Sequence, residues 1–261
     1  MFPSKYTDRR PLVIAHRGAS AHAPENTRSA FNLAIMQGAH GIELDVRLSR
    51  DNELVVIHDS TLRRTTNGKG HVHDLTLTEL KHLDAGSWFH PSFAGERIAT
   101  LSEIFELVDE RVGINIELKS TRGKKDAERI VARCLEIIRK YNAEEYVLLS
   151  SFQHSLVKLA KLSNPRVATG VIYEPLRHGG RLPSKLAGIA GASVFVSSLR
   201  FLHRRNMADA QRHGIVVSAY TINTERSLRR CVSLGVVGLI TNRPAEILKA
   251  LASLRNAGKG V

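Results

Sequence analysis

Eight short apolar runs, each followed by a segment of helical periodicity, constrain the fold of this chain more than any other feature. The runs cover residues 12–18, 41–48, 114–119, 146–151, 167–173, 193–198, 215–222 and 238–241. Continuous apolar runs are typical of parallel strands that helices cover on both faces. Eight such units in 261 residues predict an α/β chain with one domain over 1–261, a closed (β/α)8 TIM barrel. An open doubly wound sheet is the structural alternative.

A hairpin and an insertion interrupt this alternation after the second strand. Residues 41–59 hold two apolar runs around the turn Ser-Arg-Asp-Asn, which predicts a short antiparallel partner for that strand. The next stretch, about 60–100, is too long for a plain connection, so we expect a small insertion there. TLTE (76–79) and TLSE (100–103) have capping-box spacing, and each predicts the start of a helix.

Composition indicates in which cellular compartment, and under which redox conditions, the chain is expected to occur. No run of about 18 apolar residues is present, so no segment is expected to span a membrane. The first ten residues, MFPSKYTDRR, lack the apolar core of a signal peptide. Cys134 and Cys231 are too few and too far apart for a disulfide framework or a metal cluster. We therefore expect a reducing, cytoplasmic location.

The net charge of +13 is unevenly distributed. Residues 1–146 hold 21 Lys and Arg against 21 Asp and Glu, whereas residues 147–261 hold 17 against four. A half that basic can attract phosphates, an anionic membrane surface or nucleic acid, or can simply be a solvated surface. Basic runs interleaved with aromatic residues are absent, so no nucleic-acid partner is expected. The cluster RFLHRR (200–205) suggests at most a weak contact with an anionic membrane surface.

Three carboxylates fall at predicted strand ends, where the active sites of such barrels lie. Glu43 and Asp45 are two residues apart in one strand, so their side chains share a face. Glu117 lies near the end of the next parallel strand. A cluster of carboxylate oxygens suits one hard divalent cation, Mg²⁺ or Ca²⁺, better than a catalytic zinc, which more often recruits histidines.

Two imidazoles and two cations belong to the same predicted mouth. His16 and Arg17 end the first strand, and His58 ends the hairpin partner. Lys119 is two residues beyond Glu117 and so shares its face. Histidines can divide general acid and general base duties, while Arg and Lys match an anionic, phosphate-like group. The set predicts metal-assisted cleavage of a phosphodiester.

Five short motifs resemble the glycerophosphodiester phosphodiesterase family in order and context. They are HRG (16–18), PENT (24–27), ELDV (43–46), HD (58–59) and IELK (116–119). GSWF (86–89) in the insertion and TIN (221–223) near the end extend the resemblance over nearly the whole chain. Any one of these motifs is weak evidence, but five in order at predicted strand ends are specific.

The resemblance implies a (β/α)8 barrel that hydrolyses glycerophosphodiesters to glycerol 3-phosphate and an alcohol with a divalent cation. The matched positions imply a metal site of Glu43, Asp45 and Glu117, an acid–base pair of His16 and His58, and a phosphate site of Arg17 and Lys119. The partner is then a small-molecule diester, and the insertion would cover its glycerol side. We favour His16 as base and His58 as acid. The attacking hydroxyl is either water or the glycerol 2-hydroxyl, through a cyclic phosphate.

A few positions depart from the family pattern or carry two interpretations. Tyr220 replaces a usual Trp, which affects the shape of the substrate site, whereas Asn242 for Asp and Ala99 for Pro are expected to affect loop packing only. Asn26 either caps the following helix or orients ligands. Trp88 in the insertion either lines the substrate cleft or anchors the insertion.

Other functions remain open from the sequence. A lysophospholipase D acting on lipid-tailed diesters would need an apolar cleft rim built from the insertion. A non-catalytic binder of anionic head groups would not need an acid–base pair. A nucleic-acid phosphodiesterase is supported by the positive charge alone, and its affinity for DNA would fall steeply with salt. The oligomeric state is not indicated.

Overall fold

The computed structural model of the chain describes residues 11–121 and 123–258. Its strands are β1 (Leu12–His16), β2 (Gly41–Leu48), β3 (Leu54–Val56), β4 (Gly113–Leu118), β5 (Val147–Ser151), β6 (Ala168–Tyr173), β7 (Val194–Ser198), β8 (Val216–Tyr220) and β9 (Gly238–Thr241). All of them except β3 run parallel, in the order β1-β2-β4-β5-β6-β7-β8-β9, and β9 pairs with β1. The closed (β/α)8 barrel is therefore confirmed, and the open-sheet alternative is wrong.

Most helices follow the strands and cover the outside of the barrel, whereas the short helix at Leu77–Lys81 belongs to the insertion. They are α1 (Arg28–Met36), α2 (Leu77–Lys81), α3 (Leu101–Val108), α4 (Lys124–Lys140), α5 (His154–Ser163), α6 (Pro175–His178), α7 (Pro183–Ala190), α8 (Arg204–Arg212), α9 (Glu225–Leu234) and α10 (Pro244–Gly258). The short helix α6 has no counterpart in the sequence prediction, because a single helical turn is too short to show a periodicity. Among the described helices, none combines the length and the apolar character that a membrane span needs.

Both predicted capping boxes are confirmed. Thr76 accepts a hydrogen bond from the backbone of Glu79, whose side chain accepts one from the backbone of Thr76 in return, and α2 begins there. Thr100 and Glu103 do the same at the start of α3. Each box pairs two backbone donors that the first helical turn leaves free, so the helix start is determined locally.

Three separate packing regions hold the chain together. Strands and outer helices share extensive apolar cores, in which the free cysteines Cys134 and Cys231 are buried. The barrel interior has its own cluster of apolar side chains from β1, β5, β6, β7 and β9, including Ile14, Leu148 and Val194. The insertion packs on the hairpin in a small core of Val55, Ile57, Leu62, Val72, Leu80, Ala85 and Ile98. The insertion is thus attached to β3 by a core of its own.

The predicted hairpin is also confirmed, since β3 pairs antiparallel with the end of β2. The backbone N–H of Ser49 donates to the carbonyl of Glu53 across the turn, and that of Ile57 donates to the carbonyl of Asp45. Because of this pairing, the residues after β3 lie beside Asp45, near the centre of β2. The following residue, His58, therefore enters the mouth beside the carboxylates of β2.

Candidate active site

The turn after β1 places two neighbouring side chains over the mouth. Arg17 and Gly18 both have positive φ, 56° and 85°, so the chain reverses sharply after His16. A Cβ at Gly18 would lie 2.6 Å from the backbone carbon of Ala30 in α1, which only glycine avoids. The backbone N–H of Arg17 then donates to both the carbonyl and the carboxylate of Glu43, at 2.9 and 3.0 Å. The turn thus attaches the end of β1 to Glu43 in β2.

Strand register brings three carboxylates to one point. In the β2–β4 pair, Asp45 lies opposite Glu117, and Glu43 lies two residues earlier on the same face of β2. All three side chains are buried, and one carboxylate oxygen from each lies within 4.8 Å of the others. Burial, followed by the charges of Asp45 and Glu117, raises the pKa of Glu43 well above its ordinary range.

A divalent cation fits this group of carboxylates. Buried like charges repel one another, and a cation held between them removes that repulsion. Among the described residues, this is the one cluster of three or more His, Cys, Asp or Glu side chains arranged to hold a metal ion. The donor set is entirely carboxylate oxygen, which agrees with the prediction of a hard cation. Glu43, Asp45 and Glu117 could therefore hold a metal, and the structure does not identify the ion.

Asp45 is surrounded by positively charged and hydrogen-bonding groups. Arg17 Nε lies 3.2 Å and Lys119 Nζ 2.8 Å from its carboxylate oxygens. Burial alone would raise the pKa of Asp45, but Lys119 and Arg17 outweigh it and hold this pKa below its usual range. The amide of Asn26 donates to Asp45 Oδ2 at 2.8 Å. Asn26 thus orients a carboxylate, and the cap of α1 is its neighbour Thr27.

The two histidines differ in the partner that holds each ring. His16 Nδ1 lies 2.7 Å from Asn242 Oδ1, and His58 Nδ1 lies 2.6 Å from Asp59 Oδ1. Because these oxygens only accept, each Nδ1 carries the proton and each Nε2 is left for chemistry. Burial, followed by the charge of Arg17, lowers the pKa of His16 to about 4. Burial also lowers the pKa of His58, against the opposite effects of Asp45 and Asp59.

An arginine from the insertion joins the two histidine loops. Arg64 donates to both oxygens of Glu25 at 2.8 Å and to Asp59 at 2.7 and 3.2 Å. Glu25 in turn accepts from Arg17 Nη1 at 2.8 Å. The loop after β1 and the loop after β3 are therefore linked through one guanidinium.

Comparison with known proteins decides the family. The model of the glycerophosphoryl diester phosphodiesterase family matches residues 16–246. A glycerophosphodiester phosphodiesterase of Caldanaerobacter subterraneus subsp. tengcongensis is 39% identical over 241 residues, which are 92% of this chain and 97% of the relative. The chain belongs to the glycerophosphoryl diester phosphodiesterase family. This membership confirms both the predicted resemblance and the prediction of a phosphodiesterase enzyme.

Further members are similar over comparable lengths. A glycerophosphodiester phosphodiesterase of Bacillus altitudinis is 37% identical over 246 residues, 91% of this chain and 96% of the relative. A solved phosphodiesterase of Oleispira antarctica, in complex with the product sn-glycerol-3-phosphate, has a TM-score of 0.86 and 31% identity. That match covers 94% of this chain and 98% of the solved one.

The mouth of this phosphodiesterase contains two adjoining spaces. The inner cavity, of 260 Å³, reaches into the barrel and is bordered by both histidines and by Glu43 and Glu117. Its remaining wall is mostly apolar and comes from the later strands and their loops: Phe152, Ile172, Val196, Tyr220 and Ile240. The outer cleft, of 480 Å³, is polar and shares His58, Glu117 and Phe152 with the inner cavity. His16 borders only the inner cavity.

All seven residues predicted for the site lie around this mouth, and the structure adds others. Asn242 was expected to affect loop packing only, and this expectation is wrong, because Asn242 contacts His16. Trp88 donates to the carbonyl of Ala85 and packs on Phe89, and it lines neither the inner cavity nor the outer cleft. Among the two interpretations of Trp88, anchoring of the insertion is the one that these contacts favour.

Sequence reasoning also missed Arg47 and Arg64. Arg47 follows Glu43 and Asp45 at the same two-residue spacing, so the alternation of β2 would have placed it on the inward face. Arg64 carries no such signal, because its contacts with Glu25 and Asp59 depend on how the insertion folds back over the mouth.

Proposed function

We propose that this chain, as one domain over residues 1–261, hydrolyses glycerophosphodiesters to glycerol 3-phosphate and an alcohol with one divalent cation, Mg²⁺ or Ca²⁺. The observation that carries the proposal is the buried carboxylate cluster with two ring-oriented histidines beside it. The proposed metal ligands are Glu43, Asp45 and Glu117. Family membership and the product-bound Oleispira relative support the choice of substrate and product.

The bound cation would neutralise charge on the phosphoryl oxygens and act as a Lewis acid. Arg17 and Lys119 bring two further positive charges within ion-pair distance of Asp45, so a phosphate that enters the site meets both side chains. A guanidinium and an ammonium that are already positioned stabilise developing negative charge without reorganisation. We therefore assign phosphate binding to this pair.

The different partners of the histidines suggest their order in the reaction. Burial lowers the pKa of His16 to about 4, so His16 is a neutral imidazole whose Nε2 can take a proton from the attacking hydroxyl. Burial lowers the pKa of His58 as well, but the Asp59 carboxylate on its Nδ1 opposes that shift, so we assign His58 the proton that Nε2 gives to the leaving alcohol. The new P–O bond forms on the side of His16 as the P–O bond to the alcohol breaks beside His58. Water and the glycerol 2-hydroxyl both fit as the nucleophile.

The first test is release of glycerol 3-phosphate from glycerophosphocholine and glycerophosphoethanolamine, with EDTA or with added Mg²⁺ or Ca²⁺. We expect metal-dependent release that falls by about 10²–10⁴-fold in His16→Ala and in His58→Ala. His213→Ala is the matched control, because His213 ends α8 at the opposite end of the barrel and should keep full activity. Release that persists in EDTA would reject the role of the cation, and release that survives in both active-site variants would reject the histidine roles.

A further inference from the structure

Arg47 is a cation in the mouth that the proposed reaction does not use. It follows Glu43 and Asp45 on the inward face of β2 and borders the outer cleft, half-buried. Its Nε and Nη2 donate to the backbone carbonyl of His58 at 2.9 and 2.8 Å. These two bonds aim the guanidinium along the outer cleft and leave Nη1 without a hydrogen bond to any described residue.

Every carboxylate that borders the outer cleft already has a cation of its own. Asp59 pairs with Arg64 at 2.7 Å, Glu174 pairs with Arg177 at 2.8 Å, and Glu117 pairs with Lys119. Arg47 forms no ion pair with any carboxylate in the described part of the chain. The charges of Asp45, Asp59 and Glu117 act on Arg47 from beyond ion-pair distance. A half-buried guanidinium stays charged, and an anion that contacts it directly would add to this partial compensation.

The proposed function determines which part of the substrate reaches Arg47. His58 borders both spaces, whereas His16 borders the inner cavity alone. When the base and the acid act on opposite sides of phosphorus, the alcohol leaves on the side of His58. The leaving alcohol therefore extends into the outer cleft, towards Arg47.

The cleft continues past Arg47 into a further basic space. This upper space, of 360 Å³, shares Arg47, Ser60, Lys119 and Ser120 with the outer cleft. It adds Arg50, which pairs with Glu79 at 3.0 Å, and Arg129, which lies 3.6 Å from Asp126. An extended alcohol thus has room to continue past Arg47, whose guanidinium, unlike these two, has no ion pair with a described carboxylate.

We propose that Arg47 binds a second anionic group on the leaving alcohol. This inference rests on the proposed function. The preferred substrate class is then glycerophosphodiesters whose alcohol itself carries a phosphate or a carboxylate. After the two bonds to His58, the N–H groups of Nη1 and the second N–H of Nη2 remain as paired donors, in the geometry that phosphate and carboxylate oxygens accept. Arg47 is in this view a specificity residue, separate from the pair that holds the scissile phosphate.

The test compares two synthetic diesters that differ in one group. In both, glycerol 3-phosphate is esterified to propane-1,3-diol, and in one the far hydroxyl of the diol carries a phosphate. Release of glycerol 3-phosphate gives kcat/KM for each, with the cation in excess over total phosphate. We expect the phosphorylated diester to be preferred by about tenfold or more, as a charge-assisted contact provides.

Variants then assign that preference to one residue. Arg47→Gln should bring the ratio of the two kcat/KM values close to one. Arg133→Gln, which removes the same charge from a surface ion pair outside the clefts, should keep the ratio of the unaltered chain. A ratio near one in the unaltered chain, or a ratio that survives in Arg47→Gln, would overturn the proposal.

Two further outcomes separate the failures. Cleavage of neither diester would reject the proposed function together with this inference, whereas cleavage of only the diester that lacks the second phosphate would reject the inference alone. If Arg47→Gln does not fold, the salt dependence of the ratio decides the question. The contact is partly exposed and should weaken as NaCl rises from about 50 mM to about 500 mM. A high ratio that does not change with salt would contradict it.

Discussion

The two sides of the barrel mouth are built from different kinds of residue. The side formed by β1, β2, β3 and β4 supplies both histidines, the carboxylates and the two cations proposed to bind phosphate. The side formed by β5 to β9 supplies mostly apolar and aromatic wall. Reactive groups and cavity shape are thus contributed by different stretches of the same chain. The exceptions include Asn242, which reaches from the end of β9 to the ring of His16, and Glu174 and Arg177, which border the outer cleft.

This division means that substitutions on the two sides should have different consequences. A change on the reactive side should remove turnover, whereas a change on the wall should alter affinity and leave the chemistry. Asn242 is the most informative residue for this comparison. It follows β9, on the side that forms the wall, but its side chain contacts His16 on the reactive side.

The largest effect is expected at the carboxylate cluster. Glu43→Gln should lower kcat/KM by more than about 10³-fold, since a metal supplies several kcal/mol of transition-state stabilisation. The rise in melting temperature on adding Mg²⁺ or Ca²⁺ should disappear as well. Glu136→Gln on the exposed face of α4 is the matched control. Full metal-dependent activity in Glu43→Gln would remove this residue from the proposed metal site.

Asn242 should come next. Asn242→Ala frees the ring of His16 and should lower kcat by about tenfold or more with little change in KM. Asn242→Asp places a carboxylate at Nδ1, which raises the pKa of His16. Because the base must be unprotonated, the acidic limb of the kcat–pH profile should then move to higher pH. An unshifted limb with unchanged kcat would show that His16 does not depend on this contact.

Wall residues should affect binding more than chemistry. Phe152 borders both the inner cavity and the outer cleft. Phe152→Leu should raise KM by about fivefold through lost apolar contact, with kcat within about twofold of the unaltered chain. Steady-state kinetics with glycerophosphocholine and glycerophosphoethanolamine would measure both constants. A large fall in kcat would instead place the ring in the chemical step and break the division between the two sides.

The smallest effect on turnover is expected from the basic surface of the second half. Arg204 and Arg205, at the start of α8, are exposed. Reversing both charges should change kcat/KM for a small diester by less than about twofold, because solvent and salt screen exposed charges. The same variant tests the predicted membrane contact, since sedimentation with anionic vesicles should fall if that contact forms. A strong loss of turnover would mean that the basic half steers the substrate.

The barrel itself was predictable because the residues of each strand show, by their apolar character, that the strand is buried. Apolar runs such as 146–151 and 193–198 are covered on both faces, and that constraint leaves a direct trace in composition. The capping boxes at Thr76 and Thr100 were equally local, since four consecutive residues satisfy the helix start. The short helix α6 left no comparable signal.

The candidate site was predictable in part for the same reason. The positions of Glu43 and Asp45 on one face follow from the two-residue period of a strand, and the barrel rule places strand ends at one mouth. Arg47 obeys the same period and could have been included. Asn242 and Arg64 could not, because nothing local indicates which distant residue each side chain will meet.

By itself, the sequence determined the number of βα units, the faces of the strands and the candidate reactive groups at the strand ends. These properties depend on periodicity and on residue chemistry, which are both local. Only the tertiary structure decided which partner holds each histidine, an amide from β9 for His16 and a carboxylate for His58. It also decided that Arg47 faces the outer cleft without a carboxylate of its own, because charge pairing depends on separations that only the closed barrel and the packed insertion establish.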